Sequence, residues 1–395
     1  MHDFLVKKLS NTNIEQELIN IGFDKTYTHT AKDKFEYINF KIFNLTPAQA
    51  NIIKQTAISV GADCGTHREV ITGKIENSNC ILGGSLSQIK KISEKLQRQP
   101  FGLKILGQIL EEKTKIKLPE KTQLMGVLNV TTNSFSDGGD FYDFDKSIEH
   151  LKQLIDDGAD IIDIGAESTK PYSKPVSSND QLKKLEPILN YIKTQNIKTP
   201  ISIDTRSSVV AKRCIELGAD IINDVSGFDF DNNMVNVLAQ NPNTKIVIQH
   251  SQGSPEIMQN NPTYSNLMDE IYTKLKNKVD FAINNGIKFE NIIIDPGIGF
   301  GKTKEDNFEI LRRWKELKTI GCPVLIGISR KSLLDMPQAT NEEKDIYTLA
   351  LDSILMNENI DIIRVHNVKM HRKLIDLMSM FMIRLSHQDF KTIRR

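Results

Sequence analysis

An α/β chain consisting of a (β/α)₈ TIM barrel preceded by a small α/β N-terminal domain is the fold class this sequence predicts, on three observations. From residue 123 onward, short β-branched apolar runs alternate with amphipathic helical stretches, and eight such runs occur, at 124–130, 160–165, 200–204, 220–224, 245–249, 291–295, 323–328 and 361–365. Their hydrophobicity is continuous rather than alternating, as in strands covered on both faces of a parallel sheet. The segment Gly158-Ala159-Asp160-Ile161-Ile162-Asp163 returns as Gly218-Ala219-Asp220-Ile221-Ile222-Asn223, a separation of two βα units of about thirty residues each. An open doubly wound sheet is the competitor; eight regular repeats without a G-x-G-x-x-G favour closure.

Residues 1–118 have a different texture. The stretch 35–43 alternates as a strand does, and Leu45-Thr46-Pro47 opens a helix over 46–60 with the cap-and-proline signature. A second helix is expected over 87–97 with Ser87 as N-cap, and a third over 103–113. The charged stretch 111–122, which contains Pro119, is the expected linker, so that the domains are 1–118 and 119–395. The first domain shows no catalytic constellation; a scaffolding or interaction role is expected of it. The last helix, 370–385, is apolar on more than one stripe, through Leu374, Leu377, Met380 and Ile383 among others. One stripe suffices to cover a barrel, so the surplus points to a homodimer interface or to contact with the N-terminal domain.

Composition narrows the function classes. The chain has 395 residues, with 39% hydrophobic and 26% charged, enough for a sizeable core. Lys plus Arg number 51 against 50 for Asp plus Glu, a balance that argues against nucleic acid or an anionic membrane as main partner. The four cysteines include no C-x-x-C pair, which disfavours a zinc site or a disulfide framework. Residues 1–8 lack the apolar core of a secretory signal, and no apolar run approaches the roughly 18 residues of a membrane span. A cytoplasmic, soluble protein is the expectation.

Polar residues gather where the strands end, which in a barrel is where chemistry sits. The first ends in Asn129, followed by Thr131-Thr132-Asn133-Ser134-Phe135-Ser136-Asp137-Gly138-Gly139. The second ends in Asp163 and leads to Glu167-Ser168-Thr169-Lys170-Pro171; the third in Asp204-Thr205-Arg206; the fourth in Asn223-Asp224. The fifth ends in Gln249-His250, the sixth in Asp295-Pro296-Gly297-Ile298-Gly299-Phe300-Gly301-Lys302, the seventh in Ser329-Arg330-Lys331-Ser332, and the eighth in Arg364-Val365-His366-Asn367. These segments resemble dihydropteroate synthase, the folate-pathway barrel family. The most specific pieces are 129–139, 167–171, 295–302, 327–332 and 364–366, in the family's order and at barrel spacing, within a likeness that covers residues 123–385.

The resemblance implies condensation of 6-hydroxymethyl-7,8-dihydropterin pyrophosphate with p-aminobenzoate, with release of pyrophosphate and use of Mg²⁺. It implies that Asp295 takes the 2-amino and N3 protons of the pterin, that Asn223 pairs with the neighbouring ring edge, and that Lys331 reaches the 4-oxo and N5 side. It assigns Asp204 to a cation left when the carbon–oxygen bond breaks, since a fixed carboxylate counts most in a dry site. Asn129, Arg364 and His366 resemble the pyrophosphate site, with Asn129 also a Mg²⁺ ligand and Asp163 holding Arg364 in place. Ser332, near the start of the seventh helix, would attract the p-aminobenzoate carboxylate through backbone N–H groups and helix dipole. Phe135, Thr169, Pro171 and Phe300 would wall the ring, with the first loop as a lid.

Blander roles stand beside these. Asp295 and Asn223 are also turn formers, Asp204 is a candidate cap for a helix at about Ser207, Asp163 a structural strand-end carboxylate, and Phe300 and His366 core residues. Departures from the family pattern are Thr132 and Asn133 for Pro and Asp, Lys170 for Arg, Gln249-His250-Ser251 for Met-His-Met, and Asn367 for Asp. The competing functions are a pterin-binding methyltransferase, which needs no pyrophosphate set, and a pterin-binding paralogue without catalysis.

Overall fold

The computed structural model describes residues 5–7, 9, 14–24, 26–130, 144–167, 176–252, 262–335 and 340–382. The chain divides into two compact units, Met1–Lys117 and Leu118–Arg395.

In the first unit, short helices Ile14–Asn20 and Thr28–Ala31 precede strand β1 (Tyr37–Leu45), helix Pro47–Ile58, β2 (Asp63–Thr66), β3 (Ser78–Ser85) and helices Leu86–Leu96 and Leu103–Lys113. Strand β3 lies between β1 and β2 and is antiparallel to both, so β1 and β2 run parallel with a helix crossing between them, a split βαβ unit. The crossing helix starts as the sequence dictates: Thr46 caps it, Gln49 completes a capping box, and Pro47 occupies the first turn. The next helix corrects the expected cap. Ser85, not Ser87, accepts from Gln88 N while the Gln88 side chain receives Ser85 N, because Gln88 stands three residues after Ser85. Strands β2 and β3 escape sequence reading because β2 has only 4 residues and β3 carries Gly83-Gly84, which weaken a strand signal. Helix Leu103–Lys113 also takes in the first residues of the expected linker. Ile53, Leu82, Ile89, Ile92 and Leu96 form the core. Cys64 and Cys80, distant in sequence, are both buried, on the neighbouring strands β2 and β3.

The second unit carries β4 (Gln123–Asn129), β5 (Ile161–Gly165), β6 (Ile201–Asp204), β7 (Ile221–Asp224), β8 (Lys245–Gln249), β9 (Ile292–Asp295), β10 (Leu325–Ile326) and β11 (Ile362–Val365). All pair in parallel in the order β10-β11-β4-β5-β6-β7-β8-β9. A bridge between Ile294 and Val324 closes the ring. The eight-stranded barrel is therefore the observed fold. Strand β10 is shorter than the 323–328 expected. Pro323 has no N–H to donate, and Gly327 lies where a Cβ would come within 3.3 Å of Arg364 Cβ.

The continuous hydrophobicity has a two-sided cause. Ile162, Ile164, Ile203, Ile222, Ile246, Ile248, Ile294 and Ile363 face the helices. Met125, Ile161, Ile221, Val247, Ile293, Leu325 and Ile362 form a separate cluster inside the barrel. Strand β6 contributes the buried Ser202. Two residues farther along a strand, side chains return to the same face. Above this apolar floor the interior therefore receives Val127, Asp163, Asp204, Asn223, Gln249, Asp295, Gly327 and Arg364. Strand parity alone stacks a polar tier on an apolar one.

The turn after β9 limits substitution. Gly297 has φ +69°, and a Cβ there would lie 1.9 Å from the His250 carbonyl oxygen. Gly297→Ala is expected to lower stability by at least about 2 kcal/mol in urea melts; an unchanged midpoint would contradict this packing.

Candidate active site

The carboxylate of Asp163, 0% exposed, organises the polar tier. Its Oδ1 accepts from Ser202 Oγ at 2.6 Å, and its Oδ2 accepts from Asn223 Nδ2 at 3.1 Å and Arg364 Nε at 2.6 Å. Arg364 Nη2 donates in turn to Asp204 Oδ2 at 3.0 Å. Side chains from β5, β6, β7 and β11 are thus joined in one buried network. With Nδ2 of Asn223 committed to Asp163, its Oδ1 points elsewhere, and that atom and Asp204 Oδ1 are buried without a partner among the described residues. A buried acceptor left unpaired costs about 1–3 kcal/mol, and both of these atoms retain the capacity to accept a donor.

Asp204 is not the cap of the helix after it. Ser207 caps that helix by accepting from Val210 N. Burial pushes the Asp204 carboxyl up to about 7, against the pull of Arg364. Asn129, Gly165 and Asp204 stand in one row across β4, β5 and β6. A Cβ on Gly165 would lie 3.4 Å from Asp204 Cβ and 3.7 Å from Asn129 Oδ1, so glycine keeps that row open.

Asp295 combines the two roles considered for it. Its Oδ1 accepts from Gly297 N at 2.6 Å, shaping the turn, while the carboxyl faces the barrel interior, where burial raises its pKa and Lys331 opposes the rise. Lys331 Nζ donates to the Ile298 carbonyl at 2.6 Å and lies 4.9 Å from the centroid of the Phe300 ring. Burial brings the Lys331 ammonium down to about 8, with Asp295 pulling the other way. Phe300 packs with Val225 in a small cluster of its own, apart from the main core.

His366 N donates to Ser329 Oγ at 3.2 Å, and that hydroxyl lies 2.9 Å from His366 Nδ1. Which of the hydroxyl and Nδ1 donates in this second contact depends on the tautomer of the imidazole. Arg330 adopts φ +57° and forms a two-pronged ion pair with Asp345, both contacts at 2.9 Å. Asn367 Nδ2 donates to the same Asp345 at 3.4 Å. The departure from Asp to Asn at 367 gives Asp345 a donor where a second carboxylate would repel it.

The reason given for Ser332 requires correction. Ser332 opens a 3-residue 3₁₀ turn, Ser332–Leu334, and the α-helix starts only at Asn341 under a Thr340 cap. No extended stack of peptide dipoles stands behind Ser332. Phe135, Thr169 and Pro171, with Thr132, Asn133 and Lys170, lie outside the described residues.

Two buried pairs at the strand ends received no role from the sequence. Lys302, 2% exposed, donates to Phe300 O and meets His250 Nδ1, both at 3.0 Å, and burial brings its ammonium down to about 7. Arg206 pairs with Glu167 at 3.0 Å and lies 4.1 Å from the Phe230 ring centroid. Both pairs join residues dozens of positions apart, which motif spacing does not reveal. Among the described residues, no group of three or more His, Cys, Asp or Glu could hold a metal ion, and no helix is long and apolar enough to cross a membrane.

The family model for pterin binding enzymes matches residues 125–366, from the first floor residue to the histidine after β11. The dihydropteroate synthase of Clostridium beijerinckii is 42% identical over 253 residues, covering 63% of this chain and 90% of that protein. This chain belongs to the dihydropteroate synthase family of pterin-binding enzymes. A crystal structure of dihydropteroate synthase from Clostridium difficile, obtained in the presence of pteroic acid, superposes with a TM-score of 0.62 at 37% identity, covering 67% of this chain and 98% of that one. The bifunctional dihydropteroate synthase/dihydropteroate reductase of Helicobacter pylori is 32% identical over 380 residues, or 95% of this chain and 98% of that protein. The likeness to that synthase extends through both units, whereas the family model begins at Met125, inside the second.

Proposed function

We propose that the barrel is a dihydropteroate synthase, joining 6-hydroxymethyl-7,8-dihydropterin pyrophosphate to p-aminobenzoate as 7,8-dihydropteroate, with loss of pyrophosphate. The observation that carries the chemistry is the pair of unpartnered buried acceptors, Asp204 Oδ1 and Asn223 Oδ1, set beside the Arg364 guanidinium. One face of the site thus takes ring N–H donors and stabilises positive charge, while an adjoining cation takes an anion.

In this reading Asp295 grips the 2-amino and N3 hydrogens, Asn223 Oδ1 accepts from a ring N–H, and Lys331 donates to the oxo side. The exocyclic carbon–oxygen bond breaks, its electron pair leaving with the diphosphate toward Arg364, His366 and Asn129. The ionised Asp204 offsets the charge spread into the ring. The amine nitrogen of p-aminobenzoate, bounded by Phe135, Thr169, Pro171, Phe300 and Ser332, then bonds to that carbon and gives up one proton. A Mg²⁺ ion suits this donor set only as a companion of the diphosphate, because Asn129 offers one amide oxygen and magnesium completes its octahedron with phosphate and water. It would neutralise charge on the leaving group.

Pyrophosphate release, assayed with the pterin pyrophosphate, Mg²⁺ and p-aminobenzoate, tests the reading. Asp204→Ala and Arg364→Ala are each expected to lower kcat by about a hundredfold or more; undiminished turnover would sink the mechanism. Release should rise as pH passes about 7, where Asp204 ionises, and fall above about 8, where Lys331 loses its proton. Pterin binding without any release would select the paralogue that lacks catalysis.

The match to the Helicobacter pylori protein across both units favours a second activity in the full chain, reduction of the dihydropteroate product. Oxidation of a reduced nicotinamide by the purified chain, dependent on 7,8-dihydropteroate, would support it; no oxidation, with or without added flavin, would overturn it. A homodimer is the third element. Ile346 and Ile354 on helix Asn341–Asn357 and Leu377 and Met380 on helix Val368–Met382 are all more than half exposed. Light scattering should give twice the chain mass, and Leu377→Glu/Met380→Glu should reduce it to one; a monomeric wild type would refute the dimer.

A further inference from the structure

The polar tier holds one member with no part in the reaction above. Gln249 lies two residues beyond Val247 of the floor and in ladder register with Asp295 on the neighbouring strand, so its side chain enters the same interior as Asp295. It is 3% exposed. Its Nε2 donates to the Val225 carbonyl at 3.3 Å, the one hydrogen bond of this side chain among the described residues. Its Cγ lies 3.2 Å from a Cβ built on Gly297, against the turn that Asp295 shapes. Val225 in turn packs on Phe300, over which Lys331 lies. Gln249 therefore lies beside Asp295 and bonds the backbone of Val225, the residue on which Phe300 packs.

A carboxamide has two N–H donors and an oxygen that accepts twice. With one hydrogen placed on Val225, the carboxamide oxygen accepts from none of the described residues, and it is not one of the sealed, unpartnered atoms, so it is open to a ligand. The heterocycle edge proposed to face Asp295 presents three hydrogens, one on the ring nitrogen and two on the exocyclic amine. A carboxylate takes two of them in parallel, and Asp295 already shares one oxygen with Gly297 N. The remaining amine hydrogen points to the side, toward an adjoining strand.

We propose that Gln249 is a specificity-determining residue whose carboxamide oxygen accepts this last hydrogen, so that the chain selects a 2-amino over a 2-oxo heterocycle. The proposal rests on the pterin reading of the site. It is tested by calorimetric titration of the full chain with 6-hydroxymethylpterin and with its 2-oxo counterpart. The wild type should prefer the amine. Gln249→Met, close in volume but without hydrogen-bonding groups, should weaken the amine ligand about tenfold and the oxo ligand much less, narrowing the ratio. Gln249→Leu is the second apolar variant and should give the same narrowing. Stoichiometry counts folded sites in each titration, so partial misfolding does not mimic a changed ratio. Equal weakening of both ligands, or none, would overturn the proposal. A wild type that binds neither ligand would instead overturn the pterin reading itself, a distinct result.

Discussion

The buried carboxylate of Asp163 is the constraint on which the site depends. It has no access to water, and Ser202, Asn223 and Arg364 all donate to it. Each donor is fixed in turn. Asn223 is held by Asp163 with its Oδ1 left without a partner among the described residues, and Arg364 lies so that a second nitrogen reaches Asp204. Buried ion pairs are weak evidence for stability, because desolvation offsets much of their attraction. Their value here is geometric: one carboxylate sets the orientation of three other functional groups before any ligand arrives.

That arrangement follows from a simple alternation. Seven strands place an apolar residue in the barrel floor, and two positions later the same face meets the mouth. Glycine at 327 spares Arg364 a Cβ at 3.3 Å, and glycine at 165 places nothing beyond its backbone beside Asp204 and Asn129. The chemistry is therefore spread over residues 129 to 366 in sequence yet concentrated in one layer of space.

The barrel was legible because continuous apolar strands and a repeated Gly-Ala-Asp-Ile-Ile unit are local features. The network partners were legible in identity, but of their pairings only Asp163 with Arg364 was, and through the family resemblance. That pair joins positions 201 residues apart, and nothing in spacing alone announces it. Lys302 with His250 and Arg206 with Glu167 escaped for the same reason. The helix expected behind Ser332 is absent; a polar residue after a strand resembles a helix cap until the length of the turn is known. Strands β2 and β3 were missed where glycine dilutes the strand signal and 4 residues give too little periodicity.

The short β10 has a mechanical consequence. Between β9 and β11 the ring is held by a 2-residue strand and a single bridge, so this seam is the least cross-linked part of the wall. Asp295 and Arg364 stand on its two sides. A ligand that engages both spans the join like a staple, and part of its binding energy then goes into making the cylinder stiffer than the empty protein is.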